Sequence, residues 1–271
     1  MKALSRLYAF LVFLFLYAPI AVLVVFSFND SATKSRSVWS GFSLRWYQRL
    51  FGDRMLLDAL SNTLLIAVAA AVAATVLGTA AAIGINGMNR WAKRFVMNVT
   101  NFPMVNPDIV TGVSLMLLFV FASRFLGNSL GMASLILAHI TFCLPYVILS
   151  VMPKLRQMDP NLYEAAQDLG CNPFSAFFRV VLPEVLPGVV TGLIMAFTLS
   201  IDDFVISYFT SGTTQTLPIF IYSMTRKRVS PEINALSTLL FGAILALLLV
   251  INVRLSRDKK PGKAETGGIG I

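Results

Sequence analysis

The sequence predicts an all-α integral membrane protein built on six transmembrane helices, and three observations carry that prediction. Of its 271 residues 56% are hydrophobic and only 13% are charged, about half the ~25% charge of ordinary soluble domains. Apolar runs long enough to cross the ~30 Å hydrocarbon core of a bilayer recur six times along the chain. The basic residues behind the formal net charge of +9 gather at the ends of these runs and in short loops. There they set topology, so the positive charge does not point to nucleic acid.

The first apolar run, residues 7–28, follows Met1, Lys2 and Arg6. It exceeds the ~7–15 apolar residues of a signal peptide and reads as an uncleaved anchor with its N-terminus inside. Residues 29–59 are polar and aromatic, with Trp39, Phe42, Trp46, Tyr47 and Phe51, which suits a flat amphipathic segment at the membrane surface. The second span, 60–85, is alanine-rich. Ala69, Ala73, Gly78 and Ala82 lie at spacings that let neighbouring helices approach closely. A basic turn follows over 86–94, with Arg90, Lys93 and Arg94.

The third apolar run, 95–121, is interrupted by Asn101-Phe102-Pro103 and Asn106-Pro107-Asp108. Proline removes a backbone donor, and broken helices persist in membranes where they line a cavity or face protein. At 1.5 Å per residue the break falls about 15–20 Å into the span. Asp108 is therefore an intramembrane carboxylate that caps the half-helix after it, lines a pathway, or does both. The stretch 123–128 forms a short outer loop, and the fourth span, 130–152, holds His139 and Pro145 before Pro153, Lys154 and Arg156. As the single histidine of the chain, His139 reads as hydrogen-bonded packing, and a His-based metal site is not expected. The two cysteines, Cys143 and Cys171, are too few and too differently placed for a disulfide framework.

A soluble-looking interruption, 159–183, contains two short helical patterns, each opened by a polar residue and a proline: Asp159-Pro160 and Asn172-Pro173. Gly170 is expected to stop the first and Pro183 the second. Leu162, Ala165, Ala166 and Leu169 share one face of the first, and Phe174, Phe177, Phe178 and Val181 repeat that spacing in the second. Helices this short need packing against something else to persist.

The fifth span, 186–209, carries Asp202 and Asp203. Adjacent carboxylates in an apolar span are costly and point to function; the alternative is hydrogen bonding between helices without substrate contact. Successive helical residues point about 100° apart, so one should face a pathway while the other bonds a neighbouring helix or a partner. The same geometry argues against two carboxylates sharing a proton, as aspartic proteases require. A polar outer loop over 210–234, basic at Arg226, Lys227 and Arg228, precedes the sixth span, 235–253, which ends in Arg254, Arg257, Lys259 and Lys260. The Gly-rich tail, 261–271, is expected to be disordered. Lys and Arg number 13 on the sides assigned inside and 9 outside, which agrees with both termini inside.

Glu164-Ala165-Ala166, Gly170 four positions on, and Leu182-Pro183 after eleven more residues resemble the EAA loop of the membrane subunits of bacterial ABC importers, with Val180 where the family has isoleucine. The segment Gly41-Phe42-Ser43-Leu44-Arg45-Trp46-Tyr47 and Ser61-Asn62-Thr63 resemble the family's outer segment. The resemblance implies a type I importer permease fold and a cytoplasmic coupling helix between spans four and five. Glu164, Ala165 and Ala166 would be the docking face for a separate ATPase, Gly170 the turn, and Leu182 and Pro183 the end of the motif. The run from Ser200 through Asp202, Asp203 and Tyr208 to Gly212, with Pro231 to Thr238, resembles the second membrane subunit of polyamine importers, the putrescine system most of all.

That resemblance implies a complex in the bacterial inner membrane: this subunit, a homologous second permease, two copies of an ATPase and a periplasmic substrate-binding protein. A diamine needs carboxylates and aromatic faces along its route, and Asp108, Asp202, Asp203 and Tyr208 are the residues expected to supply them. No G-x-x-x-x-G-K-[ST] phosphate loop is present, so the chain is expected to be a non-catalytic subunit without cofactor, ATP and magnesium being used by its partner. A permease of the same type for spermidine, ferric ion or thiamine would keep the coupling loop and make the acidic pair incidental. An ion-coupled secondary transporter would use the same carboxylates and broken helices without any docking loop.

Overall fold

The computed structural model describes residues 2–30, 39–127, 130–159, 161–227 and 231–258. The tail at 261–271, together with Asn128, Pro160, Arg228, Lys259 and Lys260, lies outside the described residues. Among the described residues twelve α-helices follow one another: α1 Lys2–Ser27, α2 Arg45–Gly52, α3 Arg54–Asn86, α4 Arg90–Val105, α5 Asp108–Leu126, α6 Met132–Gln157, α7 Asn161–Asp168, α8 Pro173–Ala176, α9 Leu182–Asp202, α10 Val205–Thr210, α11 Leu217–Lys227 and α12 Pro231–Asp258. A π-helical stretch, Phe177–Val181, joins α8 to α9. Among the described residues the only extended pairing is one isolated bridge, Asn29 with Phe42. Five helical stretches in this set are long and apolar enough to cross a membrane: Arg6–Ser27, Arg54–Asn86, Asp108–Phe125, Met132–Gln157 and Pro173–Asp202. The sixth expected span, 235–253, falls within the 28-residue α12.

The chain forms two compact units, 1–54 with 223–271, and 55–222. In the first, α1 and α2 both pack on α12. Trp46, buried on α2, donates its indole N–H to the Asn29 carbonyl at 2.9 Å, and the guanidinium groups of Arg45 and Arg49 lie over its ring. Phe28 stacks on Phe42 at 5.3 Å. The aromatic residues of 29–59 thus anchor a short amphipathic helix, as their composition predicts.

The helix α3, in the second unit from its second residue on, starts at Arg54, ahead of the expected residue 60, because the apolar period begins earlier. Leu56, Ala59, Thr63, Ile66 and Ala67 already lie on its buried face. That face continues through Ala70, Ala74, Gly78 and Ala82, with Ala69 and Ala73 at its edge. The core is the contact of α3 and α9 with α6. A side chain on Gly78 would meet Val147 at 2.7 Å, and one on Gly192 would meet the Val147 backbone at 3.3 Å. One on Gly188 would meet the Ser150 carbonyl at 2.9 Å. Small residues at these crossings let the backbones approach without any strong polar glue.

Of the two interruptions expected in the run 95–121, Asn106-Pro107-Asp108 separates α4 from α5, with Asn106 extended at φ −72°, ψ 142°, as the residue before a proline prefers. Asn101-Phe102-Pro103 does not break the chain, and Pro103 lies inside α4. Two further boundaries are corrected. Pro153 does not end the fourth span; α6 runs through Pro145 and Pro153 to Gln157, since each proline deletes a single backbone bond. Pro183 does not stop the second short helix. The π-stretch closes with the Leu182 amide on the Phe177 carbonyl, five residues back, which lets Pro183 sit in the first turn of α9 where it needs no donor. The helix from Pro173 to Asp202 is therefore continuous, and its 30 residues reach about 45 Å, beyond the ~30 Å apolar core. The loop expected over 210–234 contains α11, whose Leu217 amide is held by the Thr63 hydroxyl at 2.7 Å.

Candidate functional site

The long helix breaks at the acidic pair. Asp202 is the last residue of α9, Asp203 is extended at ψ 119°, and α10 begins two residues later. A break leaves backbone amides without partners, and within a bilayer there is little water to serve them. The Asp203 carboxylate supplies the missing acceptors: Oδ2 accepts from the Ser207 amide at 2.8 Å and Oδ1 from the Ile206 amide at 3.3 Å. His139 on α6 closes the other side. Its Nδ1 lies 2.6 Å from the Ser200 hydroxyl on α9, and its Nε2 lies 2.9 Å from the Ser207 hydroxyl on α10 and 3.6 Å from Asp203 Oδ2. The side chains of His139 and Asp203 are 2% and 6% exposed. Thr63, Ile66, Ile201, Thr216 and Pro218 complete the enclosure, which has no room for a water molecule.

The two carboxylates therefore differ, because the helix ends between them. Asp203 is a buried cap, whereas Asp202 is exposed. Asp108, the first residue of α5, lies close enough for its charge to act on Asp203 and on Tyr146, which is near the midpoint of α6. Three of the four residues expected along a pathway thus gather around the break. No side-chain cap bond marks the start of α5, and Pro107 holds the cap position, so the alternative role of Asp108 as a capping group is not realised. Among the described residues neither Asp108 nor Asp202 has an ion-pair partner.

The fourth, Tyr208, is 47% exposed and belongs to a ring cluster. Phe204 lies 4.7 Å from Tyr222 and 5.5 Å from Tyr208, and the two tyrosines are 6.0 Å apart. On the other side, Phe209 seats α10 on α5: a side chain on Gly112 would meet its ring at 2.9 Å. Phe204, Tyr222, Ser200 and Ser207 are additions to the residues the sequence singles out. A lone histidine in an apolar span needs two partners, and the hydroxyls on either side of the acidic pair are the available signal. Tyr222 has none, coming from a stretch that reads as polar loop.

The second cluster lies at the opposite end of the long helix. Asp159 accepts from the Asn161 amide at 2.9 Å and opens α7, and Asn172 accepts from the Ser175 amide at 2.7 Å and opens α8. Between them Gly170 takes φ +86°, where glycine alone is unstrained, and the Cys171 amide bonds the Ala166 carbonyl. Ala166 faces inward, while Glu164, Ala165 and Gly170 are exposed. Leu182 is half-buried and Pro183 exposed at the entry to α9. The turn leaves Leu169 87% and Phe174 73% exposed, with Leu162 and Phe178 also uncovered.

A model of the inner membrane component of binding-protein-dependent transport systems matches residues 74–258, which include the second cluster and all of the first but Thr63 and Ile66. The chain belongs to that family. It is similar to the putrescine transport system permease protein PotI of Escherichia coli K12, 45% identical over 237 residues covering 86% of this chain and 83% of that one. It is 40% identical over 253 residues, 93% of each chain, to the spermidine/putrescine transport system permease protein PotC of the same strain. Among solved structures, a chain of a bacterial alginate ABC transporter superposes with a TM-score of 0.70 at 16% identity, covering 96% of each. A chain of the MetNI methionine ABC transporter, in an inward-facing form, gives 0.59 at 19% identity, covering 75% of this chain and 95% of that one. These two share the fold. The inner membrane component is thus an all-α integral membrane subunit of a transport system and not an enzyme.

Proposed function

We propose that this chain is a permease subunit forming half of the translocation pathway of an ATP-driven polyamine importer, with putrescine as its substrate. The similarity to PotI carries the substrate reading. Its carboxylates Asp108 and Asp202, with Asp203 behind them and Tyr208 beside them, form the route for a diamine. The proposed assembly contains a homologous second permease, two ATPase copies that use ATP and magnesium, and a periplasmic binding protein, in the bacterial inner membrane. Six spans with both termini cytoplasmic put α7, the Gly170 turn and α8 on the ATPase side. Glu164, Ala165 and Ala166 then form the docking helix, and Leu182 and Pro183 transmit its movement directly into α9, because the helix is continuous there.

Co-purification from membranes tests the assembly: the ATPase and second permease are expected to accompany this chain. Gly170→Pro, which forces φ away from +86° to about −65°, should release the ATPase and leave the membrane pair together. A chain that transports in vesicles without any ATPase would overturn the coupling reading. A second substrate reading, spermidine, is favoured by the similarity to PotC. Competition of labelled putrescine uptake by unlabelled spermidine separates the two.

A further inference from the structure

We propose that His139 is a positioning residue for transport: by clasping both sides of the α9–α10 break it withholds Asp203 from the pathway and aims Asp202 into it. This rests on the pathway reading above and assigns the acidic pair within it. Only Asp203 and Phe204 connect the two helices, so without a brace α10 would pivot about two residues. The His139 ring is that brace, reaching Ser200 on one helix and Ser207 on the other from a third, α6. No water fits among these groups to replace a lost bond. Ser200 stands two positions before Asp202, so the end of the clasp on α9 also fixes the last turn, from which Asp202 projects. The other end fixes α10, whose Phe209 rests on α5 at Gly112, one turn beyond Asp108. One imidazole thereby sets the spacing of the three carboxylates.

The test is the concentration dependence of putrescine uptake, normalised to assembled complex. Asp202→Asn is expected to raise KM about tenfold, the usual weight of a charge-assisted bond, with the maximal rate per complex unchanged. His139→Asn keeps an amide where Nδ1 lies and loses the Ser207 arm; His139→Gln keeps the far arm and loses Ser200. Both are expected to raise KM, and combining either with Asp202→Asn should add little, since the two act through one carboxylate. A merely structural histidine would lower the maximal rate or the amount of complex, leave KM alone, and multiply with Asp202→Asn. Either of those results overturns the clasp. Should the His139 variants fail to assemble, Ser200→Ala and Ser207→Ala each remove one arm, and an unchanged KM in both rejects the proposal. If Asp202→Asn itself leaves KM unchanged, the pathway reading falls instead.

Discussion

The helix break at Asp203 and the Gly170 turn interrupt the same stretch of chain at its two ends, and they are finished in opposite ways. At the break each exposed backbone donor named above has a partner within the chain: Asp203 takes the amides of Ile206 and Ser207, and His139 takes the flanking hydroxyls. At the turn the backbone is also satisfied, through Asn172 and the Cys171 amide, but the side chains are not. Leu169 and Phe174 stand almost wholly uncovered beside Leu162 and Phe178. Polar groups in a bilayer must be matched internally because the solvent cannot do it. The first region is complete in one chain, whereas the second leaves a group of apolar side chains that the ATPase of the proposed assembly would cover.

The comparison is broken most directly at the uncovered side. Leu169→Asp combined with Phe174→Asp costs the chain the ring contact of Phe174 with Phe178, at 4.6 Å, so its stability should fall by no more than about 1 kcal/mol. Retention of the ATPase should fall far more, since central apolar anchors at interfaces are worth about 2 kcal/mol or more each. Loss of stability with unchanged ATPase retention would reverse the assignment. The next largest effect belongs to the closed side. Asp203→Ala strands the Ile206 and Ser207 amides, at about 1–3 kcal/mol apiece, and should lower the unfolding midpoint of the purified membrane pair without releasing the ATPase.

Much of the fold and of both clusters is legible in the residues alone. Composition and apolar runs define the class, and Asp159-Pro160, Gly170 and Asn172-Pro173 place the short helices, because caps and left-handed turns depend on local chemistry. That the two carboxylates point apart is legible from helical geometry, but which of them turns inward is not, because Asp203 lies beyond the end of α9. Some prolines mislead, since the consequence of a missing donor depends on neighbours: Asn106-Pro107 separates two helices as expected, but Pro103 and Pro153 are absorbed, and Pro183 is reached through a π-turn. The clasp is out of reach for a different reason. Ser200, Ser207 and His139 are brought together by the packing of α6 on α9, which rests on Gly188 and Gly192 meeting Ser150 and Val147.

The smallest effect sharpens the claim that the break is closed. Thr216 lines the same enclosure, is 2% exposed, and its hydroxyl has no hydrogen-bond partner. In so small a space no water can serve it, so the hydroxyl is desolvated without return. Thr216→Val keeps the branched shape and removes the polar atom, and replacing an unsatisfied group by an apolar one of the same shape is neutral or stabilising. The unfolding midpoint should hold or rise, by up to about 1 kcal/mol in stability, and putrescine uptake should be unaffected because the residue is buried, at 2% exposure. A clear fall in stability would mean that the hydroxyl has a partner when the protein is in its membrane, and that the enclosure opens enough to admit water. The break would then resemble the Gly170 turn in being finished from outside, and the contrast between the two ends of the helix would not stand.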